Sequence, residues 1–531
     1  MEEVDLQLGR VVCVSGSRVV MVWEKHGFNE TMLDTARLQK GTLVKLKTPT
    51  TLVYGLVISL TVPNPTKSLD PGEAWLAELE LIGERGTSDA TFHHGVTSFP
   101  TLGDAVWSAN QEDLSTIYVR PGDSTITLGT LHNDQAGPMC VEPDSLLGRH
   151  FAILGTTGCG KSCALTLILQ ALLKKHEGAH IVLLDPHSEY QTAFGDRAEH
   201  LGPDKLRLPY WILNSEEIDV VMFGTNSMVP DRSIISSLLH ELIAEAKNLY
   251  QGERLERRPV TVNTPIPYRL SDINRLIDET MGKLDKPASL VPYRWLKDRL
   301  ETLGSDPRFS FMFGGITVND TFAEILSQIL RIPGHGRPIS IVDLSAVPSE
   351  VINAVVSVIL RLTFDFSLWS RGAQPILLVC EEAHRYAPLD SNLGFEPTKM
   401  ALSRIAKEGR KYGLSLCLVS QRPSELATSV LSQCNTSFVF RITSLRDQEI
   451  IRGIVADYAY GLLDFLPLLG NGEAVVIGDA VSMPLRVQFD RLPEEQRPHS
   501  MTARFSQAWR EAPVNKAFVA KVVERWRTHQ R

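Results

Sequence analysis

The run Gly155-Thr156-Thr157-Gly158-Cys159-Gly160-Lys161-Ser162 has the spacing G-x-x-x-x-G-K-[ST]. Glycines at these positions let a loop fold back so that its backbone N–H groups point at phosphate oxygens. The N-terminus of the following helix completes that anion cradle. Lys161 is then placed to reach the β- and γ-phosphates of a nucleotide, and Ser162 to ligate Mg²⁺. The apolar run His150–Leu154 precedes the loop and a helical stretch, Cys163–Lys175, follows it, which is the strand–loop–helix setting this chemistry needs. Cys159 and Cys163 read as small cysteines beside the loop rather than as redox groups.

Four further groups carry chemistry. The apolar run Ile376–Val379 leads through Cys380 into Glu381, Glu382, Ala383 and His384. In a P-loop enzyme Glu381 would stand on the metal side, through a coordinated water, and Glu382 would polarise the attacking water as general base. Two like charges at a buried strand end are costly without a cation, which weighs against a merely solvated pair. His384 reads as a polar positioning residue, with metal ligation as the alternative. Asp185 ends the run Ile181–Leu184 at the strand edge where ligands bind. It either faces the nucleotide or forms a turn with Pro186. Gln421 follows Leu414–Ser420 and either senses the γ-phosphate and orients water or is a turn residue before Pro423. Finally, Arg404, Lys407 and Lys411 recur at helical spacing with Arg410 adjacent. This is a solvated helix face, or the source of an arginine finger reaching a neighbour's γ-phosphate. Arg441, ending the next strand, is a second candidate and joins the nucleotide-contacting set, with Arg446 a third.

These residues need a scaffold. The chain has 531 residues, more than one core's worth, and 43% hydrophobic and 22% charged residues, the composition of a globular protein and not of a disordered one. The formal charge of −8 argues against DNA-binding charge over the whole surface and leaves room for a local basic lining. The seven cysteines show no metal-like pairing and fit a reducing compartment. No apolar run approaches the length of a bilayer span, and the start MEEVDLQLGR lacks the form of a signal peptide, so a soluble cytoplasmic protein is expected.

The first 145 residues are β-rich. Short runs at Arg10–Val14, Val19–Trp23, Leu43–Lys47, Thr51–Leu60 and Ala74–Ile82, with a turn at Ser15-Gly16-Ser17, suggest a small barrel for docking or oligomerisation. Beyond it, buried-strand runs at His150–Leu154, Ile181–Leu184, Ile339–Val342, Ile376–Val379, Leu414–Ser420 and Ser437–Arg441 alternate with helical patterns, the signature of a parallel α/β sheet. The interval between the second and third runs is too long for one crossover. Helical spacing at Arg232–Tyr250, Leu270–Leu284 and Tyr293–Leu303, with a break at Arg257-Arg258-Pro259, marks it as an insertion. Gly472–Phe489 reads as two more strands and Ala503–Gln530 as a helix with a basic end.

The stretches HFAILGTTGCGKS, LLDPHSEY, LVCEEAHRYAP, RIAKEGRKYGLSLCLVSQRPSEL and SQCNTSFVFRITS, with the closing LPLLGNGEAVVIGDAVSMPLRVQF, together resemble the HerA branch of the FtsK–HerA superfamily of hexameric DNA-pumping ATPases. The resemblance implies an α/β, RecA-like P-loop core over 146–200 and 310–495, an N-terminal β-barrel over 1–145, a helical insertion over 201–309 and a C-terminal helix over 496–531. It implies ATP and Mg²⁺ as cofactors, with Gly155, Thr156, Thr157, Gly158, Cys159, Gly160, Lys161, Ser162, Cys163 and Arg441 at the nucleotide. Ser162 and Glu381 lie at the metal, and Glu382, Gln421 and Asp185 are catalytic. The trans arginine comes from the segment of Arg404 and Arg410. The expected partners are five further copies in a homohexamer, duplex DNA in the channel, and an effector docked on the barrel. That effector is a NurA-like nuclease, or a sirtuin-like NADase or nuclease of phage defence. A ring that only assembles and gates such an effector, with motor activity secondary, is the alternative. Pore residues stay open, with Arg385 and Lys399 near the right strand end.

Overall fold

The computed structural model describes residues 6–23, 38–62, 75–86, 92–118, 125–132, 137–202, 205–224, 231–251, 259–283, 286–306, 309–313, 318–345, 347, 349–390, 392–455, 460–499, 505–511 and 515–527. They fall into two compact units. One comprises Met1–His176, Glu382–Leu393 and Ala406–Leu492, the other Glu177–Glu381, Gly394–Ile405 and Pro493–Arg531.

The first unit begins with a closed barrel. β1 (Gln7–Ser15), β2 (Arg18–Trp23), β3 (Leu43–Lys47), β4 (Thr51–Thr61), β5 (Trp75–Gly86) and β7 (Ala105–Ser108) run in the order β2-β1-β7-β3-β4-β5. A β2–β5 pairing closes the circle, and β6 (Phe92–His94) is added on β5. Period-two alternation turns Val19, Met21, Val44, Leu46, Val53, Val57, Ala77, Leu79 and Val106 into the barrel core. Gly16, at φ 59, makes the expected turn between β1 and β2. Lys45, a basic residue in an otherwise apolar strand, is buried. Its ammonium lies 2.6 Å from Asp113, which also accepts from the Tyr54 hydroxyl at 2.8 Å. Lys45 lies between Val44 and Leu46, on the face turned away from the barrel core, where the buried Asp113 satisfies its charge, so it does not line a surface.

The rest of this unit carries a seven-stranded sheet in the order β15-β10-β16-β17-β18-β8-β9, built from β8 (Ile126–Leu131), β9 (Pro138–Val141), β10 (His150–Leu154), β15 (Leu414–Ser420), β16 (Cys434–Val439), β17 (Glu473–Gly478) and β18 (Leu485–Phe489). β15, β10 and β16 are parallel and the remainder antiparallel. β10 and β15 are buried along their whole length, as their unbroken apolar runs require. β8 and β9, which the sequence groups with the β-rich N-terminal part, join this sheet instead, β8 pairing with β18 and β9 with β8. β16 stops at Val439, two residues short of the expected strand, so Arg441 lies beyond its end.

The second unit holds four parallel strands in the order β12-β13-β11-β14, from β11 (Ile181–Asp185), β12 (Ala198–Leu201), β13 (Ile339–Asp343) and β14 (Ile376–Cys380). Asp185 is in register with Asp343 and Leu184 with Cys380, so the strand ends form one edge. Between β12 and β13 lie helices Ser215–Phe223, Arg232–Gln251, Leu270–Met281, Pro287–Ser305, Ser310–Phe313 and Phe322–Leu330, the last two beyond the 201–309 that the sequence reading gives to an insertion. Leu284, Arg257 and Arg258 of the sequence reading lie outside the described residues. Helix Ser349–Trp369 joins β13 to β14. It is long and apolar enough by length and composition to cross a membrane, contrary to the expectation from the sequence, and 67% of that stretch is buried inside the protein. The expected C-terminal helix is described as two pieces, Phe505–Glu511 and Lys516–Arg527, with Trp509 and Trp526 exposed. Its remaining residues lie outside the described ones.

A buried ion pair ties the insertion to helix Ser349–Trp369. Glu217, fully buried, closes a capping box with Asn214 at the start of helix Ser215–Phe223. It also accepts from Arg361 at 2.8 and 3.0 Å and from Ser357 at 3.0 Å. Removing the guanidinium leaves a carboxylate with no compensating charge in a dry site. Arg361→Met is expected to lower unfolding stability by about 3–5 kcal/mol, read from chemical denaturation, and Ser357→Ala by about 1 kcal/mol.

Candidate nucleotide site

The phosphate loop leaves β10 at Gly155, where φ is 153° and a Cβ would lie 2.6 Å from Phe440 Cβ, so only glycine fits. It ends at Gly160, at φ 113, which caps the 15-residue helix Lys161–Lys175. That helix buries Ala164, Leu165, Ile168, Leu169, Leu172 and Leu173 on one face and places Lys174 and Lys175 at its negative end. Its N-terminus is therefore rigidly aimed along the loop. Backbone bonds fix the loop from outside: Gly155 N–H to Ser420 O at 3.3 Å, Thr156 N–H and hydroxyl to Arg441 O at 3.0 Å each, and Gly472 N–H to Cys159 O at 2.9 Å. Lys161, nearly buried, donates to Thr156 O at 2.9 Å, as does the Cys159 thiol at 2.8 Å. Burial pushes the Cys159 thiol up against the pull of the Lys161 charge, which keeps it protonated and makes it a packing group. Ser162 and Cys163 open the helix, half-buried.

Three side chains converge on this loop from neighbouring segments. The Thr157 hydroxyl donates to the Gln421 carboxamide oxygen, and the Gln421 amide nitrogen donates to Glu382. Gln421 stands directly after β15, which pairs with β10, so sheet register alone brings the amide to the loop. Glu382 is buried and has φ 52°, ψ 46°, a left-handed backbone that non-glycine residues rarely hold. This twist turns the chain from strand into the short turn Ala383–Arg385 and aims the carboxylate at Gln421. His384 Nδ1 lies 3.3 Å from the other Glu382 oxygen and 3.3 Å from the Ser420 hydroxyl. Burial lowers the His384 pKa and outweighs the opposing pull of Glu382, so the ring is neutral near pH 7.

In the other unit, Asp185 is completely buried and accepts from the backbone N–H groups of His187 and Tyr190 at 3.1 Å each. Burial raises its pKa above the ordinary carboxylate value, and Asp343 adds to the rise. The side chain thus makes the turn that the sequence left as an alternative. That turn carries Tyr190, whose hydroxyl donates to buried Glu381. Sequence reasoning gave Tyr190 no role. Its place within LLDPHSEY was the available signal. The strand ends present no side-chain cluster able to hold a metal by protein ligands alone among the described residues.

The arginines separate. Arg441 donates to Asn471 Oδ1 at 3.2 Å and to Leu469 O at 3.5 Å. Its carbonyl, rather than its guanidinium, fastens the phosphate loop. Arg404 lies over the Phe364 ring at 4.3 Å, on a cavity of about 250 Å³ that Glu216, Arg361 and Asp365 also line. Arg410, Arg385 and Arg446 are exposed, and Lys399 pairs with Glu396 at 2.6 Å.

A glycine-rich loop between a buried strand and a helix, an acid pair after β14 and an amide after β15 define an α/β P-loop ATPase of RecA-like architecture. The family model described as "Helicase HerA, central domain" matches residues 126–363. Over 428 residues the chain is 27% identical to a DNA double-strand break repair helicase HerA of Pyrococcus furiosus, covering 73% of this chain and 72% of that protein. It is likewise 27% identical over 421 residues to the protein of that name in Sulfolobus acidocaldarius, covering 78% of each. Among solved structures, VirB4 of Thermoanaerobacter pseudethanolicus aligns over 70% of this chain and 98% of that one, at 14% identity and a TM-score of 0.49. The plasmid coupling protein TrwB with ADP and Mg²⁺ aligns over 73% and 95%, at 15% identity and a TM-score of 0.42. The chain resembles the HerA helicases over most of its length and is an ATP hydrolase of the helicase type.

The half-buried, neutral His384 has a testable pH signature. Its folded pKa lies below the unfolded value of about 6.5, so the unfolded state binds the extra proton first and stability falls as pH drops through that window. His384→Asn is expected to flatten the loss of thermal stability between pH 7.5 and pH 5.5 relative to the parent protein, with no change above pH 7.5.

Proposed function

We propose that the chain is an ATP-driven motor that moves duplex DNA through a ring of six copies and works with a nuclease or NADase-type effector seated on the N-terminal barrel, in DNA-end processing or phage defence. The observation that carries this reading is the bridge Thr157–Gln421–Glu382, which links the phosphate loop to the carboxylate best suited as general base. ATP would lie on the loop with its β- and γ-phosphates at Lys161 and the helix N-terminus. Mg²⁺, held by the phosphates and the Ser162 hydroxyl with Glu381 on the metal side, would offset charge on the transferring phosphoryl group. Glu382 takes a proton from water as the water oxygen bonds to the γ-phosphorus. The bond from that phosphorus to the bridging oxygen breaks, and ADP and phosphate leave. Gln421 touches both partners, so loss of the γ-phosphate can be felt at Glu382 and at β15 together.

Arg410, exposed in the turn Gly409–Tyr412, is the better candidate for a trans arginine, because Arg404 is already engaged over Phe364. The curated relatives named as break-repair helicases support the assignment of DNA as the cargo. A net charge of −8 is compatible with it, since only a channel lining has to be positive.

Glu382→Gln is expected to keep nucleotide binding and lose turnover by about 10²–10⁴-fold, the usual worth of a general base. Undiminished hydrolysis by that variant would remove Glu382 from the mechanism. In the parent protein, duplex DNA is expected to raise ATP turnover in a sequence-independent, salt-sensitive way, and native mass to report six copies. Turnover indifferent to DNA, with effector activity still dependent on the ring, would replace the motor with a gating scaffold.

A further inference from the structure

The segment 460–473 runs from the barrel to the phosphate loop and is fastened at both ends within one unit. At the barrel end, Lys40 forms an ion pair with Asp464 at 2.8 Å, and its ammonium lies 5.3 Å from the centre of the Phe465 ring. Gly461 is pressed against Ile58 of β4, where an added Cβ would come within 2.5 Å of the Ile58 side chain. Arg486 of β18 covers Phe465 as well, at 5.0 Å, so the ring has a cation from the barrel and a cation from the sheet. In the middle, Leu466 O accepts from Ile442 N–H at 3.2 Å, and Gly470 N–H donates to Glu473 at 2.8 Å. Glu473 in turn takes Arg486 at 3.0 Å. At the far end, Asn471 holds Arg441, Gly472 N–H donates to Cys159 O, and Gly472 lies 3.3 Å from where a Cβ on Gly160 would stand. Gly472 has φ 77°, and a Cβ there would be 2.8 Å from the Gln488 amide. The contact with the loop is therefore made by a backbone that cannot shift without moving Gly160.

We propose that this segment is a strap that positions the phosphate loop for ATP from the barrel, with Lys40 and Phe465 as positioning residues. Neither touches the nucleotide. They set where the strap stands, and the strap sets the cradle through Gly472 and Asn471. Phe465 is the point of transfer, because the barrel's Lys40 and the sheet's Arg486 both bind its ring. ATP affinity thus depends on a residue of the first 60 in the chain, a region with no nucleotide motif. On the reading that an effector seats on the barrel, the same route carries its presence to the ATP site.

The test uses the full chain, steady-state ATP hydrolysis without DNA, and native mass and melting temperature as controls. Lys40→Ala is expected to raise the KM for ATP about three- to tenfold and to change kcat by less than about twofold, from the loss of an exposed ion pair and a cation–π contact. Lys40→Arg is expected to restore the parent KM, since a guanidinium keeps both contacts. Phe465→Leu should raise the KM similarly, and the double variant should be no worse than either single one. An unchanged KM in Lys40→Ala at parent mass and melting temperature overturns the proposal. So does a KM rise that Lys40→Arg fails to reverse, or additive effects in the double variant. Because no DNA is present, these outcomes are independent of the motor reading.

Discussion

The structure depends on one carboxamide. Gln421 has a single acceptor and a single donor end, and it uses both: the oxygen takes the Thr157 hydroxyl and the nitrogen gives to Glu382. Reversing the amide would set its oxygen against the Glu382 carboxylate, which only accepts, so Glu382 fixes the polarity of this bridge and the Thr157 hydroxyl follows as donor. The phosphate loop, the end of β15 and the twisted backbone at Glu382 must agree in position to satisfy it. The buried strands β10 and β15, in parallel register from Phe151–Cys417 to Leu154–Ser420, keep the loop and the amide together. The left-handed conformation of Glu382 costs about 1–3 kcal/mol locally, and the bond from Gln421 to its carboxylate is one contact that holds it.

Hydrogen-bond partners, not burial, set apart two buried acids at the strand ends. Asp185 and Glu381 both follow parallel strands, yet Asp185 is spent on two backbone N–H groups of its own turn while Glu381 receives a tyrosine hydroxyl. The effect of Asp185 on the site is indirect: it shapes the turn that presents Tyr190. Lys45 and Asp113 make the same point in the barrel, where an apparently basic strand residue neutralises an internal acid.

Much of this was legible because the relevant signals are local. The runs His150–Leu154 and Leu414–Ser420 have the bounds of β10 and β15, since unbroken apolar residues flanked by polar loops leave little else for a strand to do. The phosphate loop is written in its glycines, each of which meets a backbone demand at Gly155, Gly158 and Gly160. What the sequence hid depends on distant partners. The pairing of β8 with β18 joins segments far apart in the chain. The positive φ at Glu382 arises from packing, as glutamate has no intrinsic preference for it. The reach of Tyr190 to Glu381 depends on a turn whose shape the local pattern leaves open. Leu43–Lys47 disclosed a strand but not that its two lysines, on one face, differ in burial, with Lys45 covered and Lys47 exposed.

The apolar helix Ser349–Trp369 has a bearing on how the chain is made. It emerges during synthesis as a span greasy enough to be mistaken for a membrane anchor. Its ionic partner Glu217 and the helix carrying it lie upstream and have already left the ribosome by then. The carboxylate that Arg361 needs is therefore already in place when this stretch appears, the one helix of such length and hydropathy among the described residues. Chain order thus delivers the acid before the base that is buried against it.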